Sequence, residues 1–281
     1  MTKQDISNVL KNFVNTDPGN RVSGELALRP ELAGLKLLAE PLVGFGDPED
    51  SAFKALKEPH IIGDHFILPT GWLPGVKTVI SFFFPFAPEV KKSNGANMAW
   101  PSDEWLHARI EGQDFLFAAC RHLQRYLENQ GFSCLTPSLD KRFASGGTLN
   151  DAGGNHRSDK SQQNYYTSNW SERHVAHVCG LGTFGLSRGL ITAKGIAGRF
   201  GSVLTDAYFE SDKRPYTRYD EYCTRCGACV RNCPVKAITL ENGKRHPPCA
   251  AFVESTMKKH KPRYGCGKCQ VRVPCESGIP G

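Results

Sequence analysis

Cys223-Thr-Arg-Cys226-Gly-Ala-Cys229-Val-Arg-Asn-Cys233-Pro234 decides how this chain is read. The spacing C-x2-C-x2-C-x3-C-P is the bacterial pattern for a 4Fe–4S cluster. Three closely spaced thiolates wrap one cubane, and the fourth, followed by proline, points to a second cluster. A zinc site needs only four ligands and does not use this run. A second set of cysteines follows: Cys249, the pair in Cys266-Gly-Lys-Cys269, and Cys275. Ligand exchange between the runs assigns Cys223, Cys226, Cys229 and Cys275 to cluster one, and Cys233, Cys249, Cys266 and Cys269 to cluster two. Cys275 is irregular. Five residues (QVRVP) separate it from Cys269, two more than a regular second run would have, and Glu276 rather than proline follows it. It is expected to reach cluster one across a bulge.

Of the 11 cysteines, eight fall in the last 59 residues, while Cys120, Cys134 and Cys179 are scattered and read as small apolar core residues. Disulfide frameworks belong to short secreted chains, so this pattern is a metal module in a reducing cytoplasm. The formal charge of +7 falls to roughly +3 once two clusters of about −2 each are counted. Nine Lys and Arg lie between Arg225 and Arg272. Basic residues there offset cluster charge or dock an acidic electron donor as readily as they bind nucleic acid.

With 281 residues, the chain is sized for one large domain or two modest ones. Its longest apolar run, Val79 to Phe86, is broken by Ser81 and Pro85, and falls far short of the roughly 20 residues a membrane span needs. The N-terminus has no signal-peptide core. Ile6, Val9, Leu10, Phe13 and Val14 share one helical face over 3–14, and Asp17-Pro18-Gly19-Asn20 ends it as a turn. Lys77 to Phe84 reads as a strand covered on both faces. The strongest helix runs from Ser102, its cap, to Gln130, with Gly131 as the stop. Strands are expected at 132–135, 190–192 and 200–204, a helix at 172–179, and a polar, Gly-rich loop at 145–164. The alternation suggests an α/β domain over 1–215, holding the cofactor and substrate, and a compact cysteine module over 216–281.

About 215 residues precede the cysteine module, and their motifs resemble the core of epoxyqueuosine reductases. Glu172-Arg173, Gly180-Leu-Gly182-Thr-Phe-Gly185, Leu190-Ile191 and Gly201-Ser202-Val-Leu-Thr-Asp206 stand in that family's order before the Cys223 run. Leu73-Pro74-Gly75-Val-Lys-Thr-Val-Ile-Ser81 and Tyr264-Gly265-Cys266-Gly-Lys-Cys269-Gln270 are similar to two further family motifs. The resemblance implies a nitroreductase-like corrinoid domain, related to reductive dehalogenases, followed by a bacterial-type two-cluster ferredoxin module. It implies a cytoplasmic, anaerobic oxidoreductase whose clusters reduce base-off cobalamin from Co(II) to Co(I), fed by a low-potential donor such as ferredoxin or flavodoxin. Carried over by position, the cobalamin contacts are Glu172, Arg173, Ser187, Leu190, Ser202, Ala251 and Phe252.

Two departures stand out. The family's Asp general acid, six residues before the Glu of its E-R motif, is here Tyr166. A tyrosine can donate a proton to a strongly basic carbanion or alkoxide, which makes Tyr166 the candidate catalytic donor. The chain also ends six residues after Cys275, where the family commonly continues into tRNA-gripping helical repeats. The expected substrate is therefore a small molecule or modified nucleoside, with tRNA not favoured. The alternative is an electron-transfer or corrinoid-holding protein without a substrate of its own. His60, His65, His174 and His177 are expected as hydrogen-bonded rather than metal-ligating residues.

Overall fold

Residues 1–146 and 167–281 are described by the computed structural model. The run without polar alternation becomes the central strand. β2 (Thr78–Pro85) has all eight residues buried, with β1 (Leu42–Gly46) antiparallel on one side and β6 (Gly198–Thr205) antiparallel on the other. β3 (Cys134–Leu135) pairs with β6 and completes the order β1-β2-β6-β3. Helices and strands alternate as expected, but every strand pair is antiparallel, so the sheet is not of the parallel βαβ type.

Strand alternation sorts the core into two layers. Ile80, Phe82 and Phe84 face one side with Val203, against α1 (Lys3–Thr16) and α5 (Asp103–Glu128). Val79 and Leu204 face the other, against Phe66, Trp72, Trp170 and α6 (Glu172–Val178). Each fully buried large side chain stabilises the fold by about 1.5–3 kcal/mol, and this central strand supplies several. α1 opens on a capping box between Thr2 and Asp5, and α5 on Ser102 Oγ accepting from Trp105 N–H at 3.2 Å. Both helices lie where their apolar stripes predict. Between them, α2 (Ser51–Ala55), α3 (Pro69–Trp72) and α4 (Pro88–Ala96) are short.

After α6, the glycine-rich stretch forms a hairpin of β4 (Gly182–Phe184) and β5 (Leu190–Thr192) rather than a bare turn. The cysteine-rich part adds α7 (Ala228–Arg231), the hairpin of β7 (Ile238–Thr239) and β8 (Gly243–Lys244), and α8 (His246–His260). Most of the expected 145–164 loop lies outside the described residues. Its base is described: Gly146 N–H donates to Thr167 O at 2.9 Å. Among the described residues no helix is long and apolar enough to cross a membrane.

Candidate functional site

The β4–β5 hairpin and the turn into β6 form the wall on which the cysteine module docks. Phe184 N–H donates to Tyr219 O at 2.6 Å and Ile196 N–H to Cys275 O at 2.9 Å, while Tyr222 N–H donates to Thr183 Oγ1 at 2.9 Å. Cys223, Cys226, Cys229 and Cys275 line one recess with about 390 Å³ of free space, part of it open to solvent, backed by Ile191 and Ile196. Burial, with Cys229, Cys223 and Cys226 alongside, pushes the Cys275 thiol up to about 12. Burial and neighbouring cysteines push Cys229 to about 11. Thiols held this high are neutral in cluster-free protein, so ligation there releases protons.

The two extra residues before Cys275 are absorbed at Arg272. Val271 and Val273 are buried, and between them Arg272 takes a left-handed backbone, φ 53°. Asn232 Nδ2 donates to Val271 O at 2.9 Å, and Arg272 N–H to Glu276 Oε2 at 2.6 Å, fixing the bulge. Gly195 then admits the chain beyond Cys275: its φ is +86°, and a Cβ there would stand 2.2 Å from Glu276 O. Among the described residues, the non-glycine residues with positive φ are Arg188, Arg225, Lys236 and Arg272. Such residues are uncommon. Arg225 and Gly227 flank Cys226, and left-handed residues of this kind build the N–H-lined concavities that hold anionic clusters.

The other four module cysteines stand together. Cys269 is raised by burial with Cys249 and Cys233 beside it, and Cys266 reaches about 12 through burial with Cys269 and Cys249. Ala237 N–H donates to Cys233 Sγ at 3.1 Å. Cys249 lies in the first turn of α8. The Cys266–Cys269 pair is locked to the sheet domain from beneath. Gly267 has φ +67° and lies so close to Trp105 that a Cβ would stand 1.9 Å from Cζ2. Lys268 is fully buried; its Nζ donates to Asn94 O at 2.7 Å and Asn94 Oδ1 at 2.6 Å. Burial lowers Lys268 to about 8 against the pull of Cys266. Asn94 Nδ2 in turn donates to Cys266 O at 3.0 Å. Among the described residues no group of three or more His, Cys, Asp or Glu could hold a single metal ion.

The start of α6 and strand β6 bring a further group of polar side chains together. Glu172 begins α6, and its Oε2 accepts from Ser202 Oγ at 2.8 Å, while Trp170 Nε1 donates to Ser202 Oγ at 2.9 Å. Indole N–H is only a donor, so the serine accepts from it and gives its own hydrogen to Oε2. Glu172 Oε1 is buried with no partner. Burial raises this carboxyl to about 8, opposed by hydrogen bonding with the Ser202, Ser138 and Trp170 side chains. The Arg173 side chain is exposed. Its Nη1 donates to Arg188 O at 2.6 Å. Desolvation lowers Arg173 from the usual guanidinium range, opposed by Cys269 and aided by Arg109. Burial also works against the Lys244 ammonium, yet Cys269 and Cys249 hold it above its usual value.

The residues read as cobalamin contacts are not all in one place. Glu172, Arg173 and Ser202 are together. Ser187 lines the recess of Cys223, Cys226, Cys229 and Cys275. Leu190 has no exposed surface, so its side chain backs the hairpin. Ala251 is exposed on α8. Phe252 packs edge-on against Trp100, with ring centroids 5.5 Å apart. Tyr166 lies outside the described residues. His65, His174 and His177 hydrogen-bond Thr167 Oγ1, Ser171 Oγ and Gly182 O at 2.7, 2.7 and 2.8 Å. Asn94, Lys268, Arg109 and Arg199 escaped the sequence reading. The available signal was a charged residue inside an otherwise apolar or cysteine-rich stretch, as in GRFGSVLT and CGKC.

Fold and site together define an iron–sulfur protein: the 4Fe-4S binding domain family model matches residues 216–239. More specifically, part of the chain is similar in sequence to an epoxyqueuosine reductase. The epoxyqueuosine reductase of Listeria monocytogenes serovar 1/2a (strain ATCC BAA-679 / EGD-e) is 31% identical over 123 residues, which cover 40% of this chain and 31% of that protein. The chain thus spans about a third of the length of the curated relative it matches. An epoxyqueuosine reductase solved with a tRNA-Tyr epoxyqueuosine-modified stem loop shares the fold, with TM-score 0.51, 18% identity, and 85% of this chain and 62% of that one covered. A catabolic reductive dehalogenase in complex with 3-bromo-4-hydroxybenzoic acid has TM-score 0.50 and 14% identity, covering 85% of this chain and 30% of that one.

Proposed function

We propose that the chain is a cobalamin-dependent iron–sulfur reductase, with a cofactor and substrate domain over 1–215 and a module over 216–281 that carries two 4Fe–4S clusters. The observation that carries this reading is the return of Cys275 to the recess of Cys223, Cys226 and Cys229. It makes a complete set of four from residues far apart in sequence, and leaves Cys233, Cys249, Cys266 and Cys269 as a second set. The donor chemistry fits: four thiolates per site, cations alongside, and left-handed backbone about the cysteines. Corrinoid binding is supported by the unpartnered Glu172 Oε1 and by the similarity to epoxyqueuosine reductase. A corrin rim carries amide groups that a neutral carboxyl can hydrogen-bond.

When bound, the clusters supply single electrons at low potential and cobalamin supplies the reductive chemistry of its cobalt. The chain's own residues bind, orient and compensate charge. Glu172, fixed by Ser202 and Trp170, presents a neutral carboxyl. Arg173 and Lys244 place positive charge beside Cys269 and so stabilise the added electron. Tyr166 is proposed as proton donor to the reduced substrate, a small molecule or modified nucleoside, with a ferredoxin or flavodoxin as electron source.

Protein made and purified without oxygen in the presence of cobalamin tests the reading. One cobalt per chain with a base-off Co(II) EPR signal, and a substrate turnover lost in Tyr166→Phe, are expected. Clusters without bound cobalt would instead leave an electron carrier.

A further inference from the structure

The cysteine module meets solvent at one ligand. Of its eight cysteines, Cys226 is exposed and the other seven are half-buried. Beside Cys226 lies the tip of the β7–β8 hairpin. Leu240 in that tip keeps 43% of its surface in water, and its Cδ2 would stand 3.7 Å from a Cβ on Gly227. Two arginines frame this leucine. Arg225 donates from Nη2 to Leu240 O, and Arg231 from Nη1 to Cys226 O at 3.3 Å. Both arginines are exposed, and among the described residues no carboxylate lies within ion-pairing distance of either. The acidic residues just before the module are engaged elsewhere: Asp220 pairs with Arg218, and Glu221 Oε2 accepts from the Thr217 and Arg218 N–H groups. From Thr224 to His246 there are five Lys and Arg against one carboxylate, Glu241.

A single exposed leucine needs no explanation. Here it stands against a cluster ligand, between cations tied to backbone carbonyls. An arginine already held in place loses less freedom when a partner docks, and its remaining donors suit carboxylates. A small apolar centre with a charged rim is the make-up of a transient electron-transfer interface. The second cysteine set is closed on its Cys266–Cys269 side, where Trp105 lies against Gly267 and Lys268 is fully buried. Electrons from a protein donor therefore have their shortest approach at Cys226.

We propose that the surface of Arg225, Leu240 and Arg231 is the docking site of a small acidic electron-carrier protein, which passes one electron to the cluster held by Cys223, Cys226, Cys229 and Cys275. This rests on the two-cluster module of the function proposed above, and not on corrinoid. With a flavin carrier, the anionic hydroquinone becomes the neutral semiquinone, and the oxidised cluster takes up the electron lost; no atom is exchanged.

Anaerobic stopped-flow mixing of cluster-loaded full-length protein with flavodoxin hydroquinone tests the site, because the blue semiquinone reports each electron passed. In wild type the second-order rate should fall steeply with added salt. Arg225→Gln with Arg231→Gln should slow it about tenfold or more at low ionic strength and flatten the salt dependence. Leu240→Ser should slow it with the salt dependence kept. Iron content stays as in wild type, as does the rate of reduction by dithionite, which needs no docking surface, and Arg121→Gln on α5 changes nothing. A wild-type rate insensitive to salt overturns the proposal, as do equal rates in wild type and the double variant, or flavodoxin failing to reduce protein that dithionite reduces. The double variant then identifies another occupant: a dimer lost on substitution marks a second copy, and weakened binding of labelled RNA marks nucleic acid. Slowed transfer in the double variant of a protein that binds no cobalt would retain the docking site and refute the reductase. Unchanged transfer in cobalt-binding protein would do the reverse.

Discussion

Glu172 Oε2 accepts from the Ser202 hydroxyl, which accepts in turn from the Trp170 indole, and burial favours the neutral carboxyl. This has a consequence for stability. The carboxyl titrates at 4.5 in the reference state and at about 8 in the fold, so between those values the folded protein holds a proton that the unfolded chain has lost. The raised value favours folding fully below about pH 4.5, and that contribution is lost as pH rises through about 8. Glu172→Gln keeps the acceptor for Ser202 and cannot ionise. Denaturant titrations from pH 5 to 8 should therefore show wild type losing stability relative to the variant, by up to about 1.4 kcal/mol per pH unit. Parallel pH profiles would show that Glu172 is ionised in the fold. This residue was legible as part of Glu172-Arg173, but its protonation was not: that depends on Trp170 and Ser202, brought beside it by α6 and β6.

The elements that sequence placed best are those with internal periodicity. β2 and α5 announce themselves through an uninterrupted apolar run and a long stripe, whereas β3 has two residues and exists only through pairing with β6. Pairing direction is likewise non-local, which is why alternation of helices and strands did not reveal an antiparallel sheet. Two joints between elements are testable. Gly195→Ala drives a Cβ into Glu276 O and strains the turn that receives Cys275. Its cluster-loaded protein should lose about half its iron in mild chelator while the Cys266–Cys269 site persists, as followed by EPR. The Asn94–Lys268 lock joins α4 to the second cysteine set. Asn94→Leu removes the Oδ1 acceptor and leaves the buried ammonium with the backbone carbonyl of residue 94; it should cost about 2 kcal/mol, measured by chemical denaturation. Lys268→Met with Asn94→Leu should recover much of that loss, because the poorly satisfied ammonium is then gone.

At the scale of the molecule, the cysteine spacing was readable in the sequence, and the meeting of arginines from different elements was not. Spacing is a local property, while Arg109, Arg173 and Arg199 come from α5, α6 and β6 and converge only once the sheet is formed. Packing also joins the cysteine-rich part to the rest of the fold: Ile196 N–H donates to Cys275 O, Trp105 lies against Gly267, and Arg263 pairs with Glu111 on α5. The whole account depends on two complete thiolate sets, of which Cys275 closes one. Iron and acid-labile sulfide per chain, measured side by side in wild type and Cys275→Ala purified without oxygen, test it directly. The account predicts about eight iron in wild type and about four in the variant, with one cluster signal lost by EPR. Equal iron in the two proteins would contradict it.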